Sequence, residues 1–259
     1  MPTSLCRRYV GRTALVTGAA SGLGRACARR LAAEGAAIGI IDTQGDLARA
    51  ASEELERSGA NSVSYELDVT DAAGVQSAVE DLVDRYGSVD VLVNMAGVFP
   101  ALPLDQLSAE KWRQIIDVNL TGTFLTSQAV LPWMRERQYG RIINTSSGTL
   151  MLGRATSAAY LASKAGVIGL TRAIAREAGA DGVTANVVMP GGFNTEGVRA
   201  MITDPELARR IDEQLLREQC VKRLGQPEDI AEAVAYLASE GAAFVTGETH
   251  YVGGGYGFA

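Results

Sequence analysis

Residues 14–35 read ALVTGAASGLGRACARRLAAEG. A short apolar run leads into a glycine turn, and an alanine-rich amphipathic pattern leads out of it, which predicts strand, tight turn and helix. Gly18, Gly22 and Gly24 keep the spacing G-x-x-x-G-x-G. Glycines there allow φ > 0 and let the backbone approach a pyrophosphate, while the following helix offers unpaired N–H groups and the positive end of its dipole. The stretch therefore predicts the phosphate-binding start of a dinucleotide fold. Ser21 and Leu23 lie inside the same turn and belong to the predicted cofactor contacts.

Outward from this unit the rhythm repeats. TALVTG (13–18), AAIGIID (36–42), SVSYELD (62–68), VDVLVNMAG (89–97), GRIINTSS (140–147) and VTANVVMP (183–190) read as strands separated by amphipathic stretches. Nearly continuous apolar strands imply burial on both faces. Alternation without a compositional break predicts an α/β fold over residues 1–259, a single domain with one doubly wound, Rossmann-type parallel sheet. The segment at about 191–226 interrupts the rhythm with a charged helical pattern, DPELARRIDEQLLRE. An excursion near the carboxyl end of a strand is where such a fold builds a substrate lid.

Composition narrows the function. The 259 residues are 47% apolar and 21% charged with net charge −6, and no basic stripe marks a nucleic-acid or membrane partner. No apolar run reaches the roughly 18–20 residues of a membrane span. The start, MPTSLCRRYVGRT, has no hydrophobic signal core, and Cys6, Cys27 and Cys220 form neither a disulfide framework nor a zinc ligand set. The expectation is a cytoplasmic protein without a metal.

The second predicted strand ends at Asp42. A carboxylate there accepts hydrogen bonds from both adenosine ribose hydroxyls and repels a 2′-phosphate. Thr43 and Ser21 offer no positive charge to offset this, so NAD is expected over NADP. Asp68, closing the third strand, either bonds the adenine amino group or caps the helix that starts at Asp71; Val69 follows it.

The chain has 3 lysines and 8 tyrosines, so a Tyr-x-x-x-Lys pair arises by chance about 0.1 times. One occurs, in AAYLASKAG (158–166): Tyr160 and Lys164 share a helix face. A nearby ammonium, helped by an oxidised nicotinamide, is expected to lower the phenol from its ordinary pKa near 10 so that it exchanges protons with a substrate oxygen. Ser147, at a strand end, can hold that oxygen beside the phenol. Ser146 is its rival, because alternate side chains face opposite sides of a strand.

TGAASGLG (17–24), NMAG (94–97), VN (118–119), TSS (145–147), YLASK (160–164) and PGGFNT (190–195), in this order, resemble the short-chain dehydrogenase/reductase family in its compact form. The likeness runs from about Gly11 to Gly255. It implies a catalytic set of Asn119, Ser147, Tyr160 and Lys164, with Asn119 as a helix asparagine holding a water that links the lysine to solvent. It also implies that Lys164 bonds the nicotinamide ribose. Pro190 and Gly191 end the sixth strand, and Phe193 (through its backbone) and Thr195 reach the nicotinamide carboxamide; transfer of the pro-S hydride is implied. Asn94 braces the central strands, Ala96 joins the cofactor contacts, and Gly97 packs on the adenosine side.

Three positions depart from the family pattern: Met95 in place of a second asparagine, Phe193 in place of a smaller aliphatic residue and expected to narrow or floor the pocket, and Gly253 where an aspartate is common. Candidate pocket walls are Phe99, Thr149, Leu150, Arg154, Met189 and Gly192. Arg154 either pairs with an anionic substrate group or is a solvated loop residue. The mostly apolar walls favour an NAD-dependent oxidoreductase acting on a ring-containing or aromatic secondary alcohol and its ketone. One rival is a 3-oxoacyl-thioester reductase, for which NADP and basic residues for a carrier protein are the usual signs; another is a non-catalytic nucleotide-binding regulator. An enoyl reductase of related fold would space tyrosine and lysine more widely. Hydrolysis by a metal or a triad is disfavoured, because His250 is the only histidine and reads as a surface or subunit-contact residue. The resemblance implies a homotetramer.

Overall fold

A computed structural model describes residues 7–193 and 204–256. Seven parallel strands form one sheet: β1 (Thr13–Thr17), β2 (Ala37–Asp42), β3 (Ser62–Glu66), β4 (Val91–Asn94), β5 (Gly140–Thr145), β6 (Val183–Pro190) and β7 (Thr249–Val252). Their order is β3-β2-β1-β4-β5-β6-β7, so the direction of winding reverses between β1 and β4. A crevice opens at the carboxyl ends there, which is where an open α/β sheet binds ligands.

Side-chain alternation builds two cores. Val16, Ile38, Ile40, Val93 and Val188 face α1 (Gly22–Ala33), α2 (Gly45–Arg57) and a late helix, Pro227–Leu237. Their neighbours Leu15, Ile41, Leu92 and Ile142 face α3 (Ala72–Tyr86), α5 (Gly122–Glu136) and α7 (Ala158–Ala178). The doubly wound expectation holds because every central strand carries apolar side chains of both parities. Between α3 and α7 the chain also forms α4 (Ala109–Ile116), a π-helical turn Asp117–Thr121, and the single-turn α6 (Thr149–Leu152).

The excursion after β6 contains α8 (Pro205–Glu218), begun by Asp204, whose side chain accepts from the Glu206 N–H, and by Pro205 in the first turn. It is followed by α9 (Pro227–Leu237). Two corrections concern boundaries. The strands read as 62–68, 89–97 and 140–147 are shorter, because their last residues turn out of the ladder to build the crevice. Strand β7 is absent from the sequence reading: its four residues are all half-buried at the sheet edge, and so lack the continuous apolar run of the inner strands.

Candidate active site

The glycine turn has the close approach its spacing predicts. Gly18 adopts φ +64° and Gly22 φ +55°, and a Cβ on Gly24 would overlap the Gly18 carbonyl oxygen. Ser21 is extended, its hydroxyl caps nothing, and the first turn of α1, which includes Leu23, carries no acidic residue. The helix N-terminus thus keeps unpaired N–H groups suited to a pyrophosphate. Asp42 Oδ2 accepts from the Ala20 N–H and Oδ1 from the Gln44 N–H, both at 3.0 Å, which fixes a carboxylate beside the turn. These residues fit the adenosine diphosphate half of a dinucleotide. Asp68 does not cap α3: Asp71 performs that task by accepting from the Gly74 N–H. Asp68 Oδ1 instead accepts from the Thr70 N–H and hydroxyl at 2.9 and 2.8 Å. Val69 is buried and would touch a Cβ placed on Gly122.

Past β4 a buried polar chain holds the crevice floor. Thr126 donates to Asn94 Oδ1 at 2.8 Å, Asn94 Nδ2 donates to Asn144 Oδ1 at 2.9 Å, and Asn144 Nδ2 donates to Thr171 Oγ1 at 2.9 Å. The Thr17 hydroxyl accepts from the N–H groups of Met95 and Ala96. Asn94 is thereby placed as a brace between β4, β5 and α5; Asn144, Thr126 and Thr171 were not read from the sequence. Asn119 lies fully buried in the π-helical turn rather than in a regular helix. Its side chain accepts from the Val98 N–H at 2.8 Å and donates to the Val98 carbonyl at 2.9 Å and to Ser163 Oγ at 3.1 Å. Ser163 in turn donates to the Tyr160 carbonyl at 2.7 Å, so Asn119 ties the 94–98 loop to the helix that carries the tyrosine.

Ser147, Tyr160 and Lys164 converge at the carboxyl end of β5. Ser147 Oγ donates to Thr149 Oγ1 at 2.9 Å and is near enough to the Tyr160 phenol to favour its ionised form. Ser146 faces the other way and donates to the Lys164 carbonyl at 2.9 Å. Lys164 is buried, with Nζ donating to the Thr145 carbonyl at 2.9 Å and lying 5.9 Å from the Tyr160 ring centroid. Burial brings its pKa down to about 8. Burial also raises the phenol of Tyr160, opposed by the Ser147 hydroxyl. In the chain by itself desolvation therefore dominates the phenol, while the Lys164 ammonium is itself desolvated and engaged by a carbonyl; the expected lowering involves an oxidised nicotinamide as well. Gly97 lies close by: a Cβ there would sit 3.2 Å from Asn119 Oδ1 and 3.5 Å from Lys164 Nζ.

A family model described as enoyl-(acyl carrier protein) reductase matches residues 18–257. The chain is 41% identical over 247 residues to the 3-oxoacyl-[acyl-carrier-protein] reductase FabG of Escherichia coli, covering 95% of this chain and 98% of that protein. The chain belongs to the short-chain dehydrogenase/reductase family. It is an oxidoreductase of that family, which uses a nicotinamide dinucleotide. It is also 41% identical over 244 residues to (2S)-[(R)-hydroxy(phenyl)methyl]succinyl-CoA dehydrogenase subunit BbsD of Thauera aromatica, covering 94% of this chain and 96% of that one. Among solved structures, levodione reductase superposes with a TM-score of 0.90 at 34% identity, covering 96% of this chain and 98% of that chain.

Within this family frame, the pocket candidates divide. Phe99 faces Tyr160, ring centroids 5.5 Å apart and planes tilted by 48°. Thr149 and Leu150 are half-buried in α6 directly after Ser147, and Met189 is buried in β6. Gly192 is covered by α8, since a Cβ there would touch the Leu215 methyl groups. Arg154 is exposed between α6 and α7, the solvated alternative. Phe193 packs its ring on Gly225 and against the α1/α9 core, and with Gln219, Val221 and Val252 it lines a cavity of about 130 Å³. Pro190 and Gly191 end β6 through the Gly191 N–H, which donates to the Val252 carbonyl. Thr195 and Cys6 lie outside the described residues. His250 is half-buried in β7 rather than on the surface, with a buried Nε2 that finds no partner among the described residues. Among them, too, no helix is long and apolar enough to cross a membrane, and no cluster of ligating side chains forms a metal site.

Proposed function

We propose that this chain interconverts a 3-oxoacyl thioester and the corresponding 3-hydroxyacyl thioester, with NAD as its redox partner. The observation that carries the reaction type is the convergence of Ser147, Tyr160 and Lys164 at one strand end, with the Ser147 hydroxyl acting on the phenol and Lys164 Nζ 5.9 Å from its ring centroid. The thioester is supported by two relatives of about equal likeness. One is named for reducing 3-oxoacyl groups on a carrier protein, the other for oxidising a hydroxy(phenyl)methyl group on a coenzyme A ester. This moves the weight from the ring alcohol expected from the pocket walls to the rival set beside it.

NAD is supported by the local charge. The Asp42 carboxylate stands at the ribose end of the turn, and the arginines of α1 and α2 nearest in sequence are paired elsewhere: Arg25 and Arg29 with Glu54, Arg49 with Asp46. A 2′-phosphate would meet a carboxylate, and the nearest arginines in sequence among the described residues are already paired.

The bound nicotinamide supplies the hydride for reduction and accepts it in oxidation. Ser147 holds the substrate oxygen next to the phenol and polarises it. In reduction Tyr160 donates its proton to that oxygen as the carbon–oxygen double bond becomes single; burial keeps the phenol protonated and ready to donate. Lys164, one turn along, then lies beside the phenolate left behind. In oxidation the same atoms run in reverse, the phenolate taking the alcohol proton. Phe99 offers an apolar face to the acyl or aryl group next to the reacting carbon. That face also favours a second reading, a cyclic or aryl ketone without a thioester, in line with the likeness to levodione reductase.

The test is a matched assay of 3-oxoacyl-CoA, 3-oxoacyl carrier protein, an aryl 3-oxoacyl-CoA and simple ring ketones, each with NADH and NADPH, followed by absorbance. The thioesters with NADH should give the highest kcat/KM, and Tyr160→Phe should retain cofactor binding while losing at least about 100-fold in turnover. Preference for ring ketones would replace the thioester reading; unchanged turnover in the phenylalanine variant would overturn the proton-transfer assignment.

A further inference from the structure

Tyr251 on β7 sits against three glycines drawn from three parts of the chain. A Cβ on Gly148 would lie 2.7 Å from Tyr251 Cε2, one on Gly191 would lie 2.8 Å from the phenol oxygen, and one on Gly253 would overlap that oxygen and its ring carbon. Gly148 follows Ser147 directly, Gly191 ends the strand before the nicotinamide-side loop, and Gly253 occupies the position where the family commonly has an aspartate. The same three segments are hydrogen-bonded in series: the Gly148 N–H donates to the Pro190 carbonyl at 2.7 Å and the Gly191 N–H to the Val252 carbonyl at 2.9 Å. The Tyr251 hydroxyl donates to the Tyr256 carbonyl. Beyond it, the Gly254 carbonyl accepts from the Val221 N–H at 2.9 Å, just past α8.

We infer that Tyr251 is a positioning residue for Ser147. Its ring is the spacer that sets the distance between the Ser147–Gly148 turn and the end of β6, and its hydroxyl anchors the C-terminal segment that closes the back of the site. Any side chain at Gly148, Gly191 or Gly253 would displace the ring, so the glycine at 253 is the counterpart of the tyrosine at 251. An aspartate there would place its Cβ inside the phenol. Among the described residues the serine hydroxyl bonds only forward, to Thr149, so on this side it is held by backbone geometry.

The inference rests on Ser147 orienting the substrate oxygen, and it is tested on whichever carbonyl compound the wild-type chain reduces, so failure of the thioester assignment leaves it testable. Tyr251→Ala should lower kcat by about 10- to 100-fold, as displacements near 1 Å do. In a Ser147→Ala background the same change should cost less than about threefold, because the group it positions is gone. Tyr251→Phe, which keeps the ring, should restore kcat to within about threefold of wild type. If Tyr251→Ala does not fold, Gly253→Ala, which displaces the ring without removing it, is read in the same cycle. A second cycle needs no turnover: Gly253→Ala should lower the unfolding midpoint in the wild-type chain and do so less beside Tyr251→Ala. Full additivity of the Tyr251 and Ser147 changes in kcat overturns the positioning role, and additivity of the Tyr251 and Gly253 changes in unfolding overturns the cradle.

Discussion

Replacing Lys164 by methionine should make the protein more stable at neutral pH while abolishing its turnover. The lysine is 4% exposed and burial brings its pKa from 10.5 to about 8. A displacement of that size represents about 3 kcal/mol held against folding at neutral pH. Methionine occupies a similar volume without the charge, but it leaves the Thr145 carbonyl without the donor it has at 2.9 Å, a loss of about 1 kcal/mol. The net gain is about 2 kcal/mol, or roughly 4–8 °C in midpoint for a chain of this length. The sign reverses with pH. Because the folded pKa lies below the unfolded one, the unfolded lysine binds the proton that the folded one has lost between about pH 8 and 10.5, so wild-type stability rises with pH across that window. Below the window the penalty is complete; above it only the lost hydrogen bond remains and the methionine variant should be the less stable. Paired thermal unfolding at equal protomer concentration, at about pH 7 and about pH 11, reads this directly. A variant no more stable than wild type at neutral pH, or a gap that does not move with pH, would refute the reasoning.

Two other perturbations probe the nucleotide end. Asp42→Ala removes the carboxylate that accepts from Ala20 and Gln44 and should narrow the preference for NADH over NADPH by about tenfold in kcat/KM; an unchanged ratio would remove the basis for choosing NAD. Gly24→Ala places a methyl group on the Gly18 carbonyl, backbone against side chain with nothing flexible to yield, and should abolish measurable cofactor binding in a titration of nucleotide fluorescence or lower the unfolding midpoint sharply. Retention of both would show that the turn is looser than its contacts indicate.

What was legible in the sequence was what neighbouring residues encode together. Gly18, Gly22 and Gly24 lie within one turn, Tyr160 and Lys164 within one helical turn, and the inner strands are continuous apolar runs, so their placement follows from local periodicity. Strand alternation says that only one of Ser146 and Ser147 faces the site, the spacing to Tyr160 favours Ser147, and the two hydroxyls do bond to different segments. What escaped depends on contacts between distant segments. Asn144 and Thr171 look like ordinary strand and helix residues until the polar chain that begins at Asn94 reaches them. Tyr251 sits on a half-exposed edge strand, and only the packed structure brings it against Gly148. Charge proximity is visible in a Tyr-x-x-x-Lys spacing, whereas the desolvation that raises the phenol is a property of the folded crevice.

The π-helical turn at Asp117–Thr121 carries one consequence of its own. Such a turn is an α-helix holding an inserted residue, and here the insertion aims Asn119 at Val98 and Ser163. Excising one residue between 117 and 121 would return the segment to an ordinary α-helix, leaving the helices on either side in place but drawing Asn119 off Val98 and Ser163. The extra residue is thus what lets one buried amide reach two separate segments at once, and a shortened descendant would keep its helices while losing that tie.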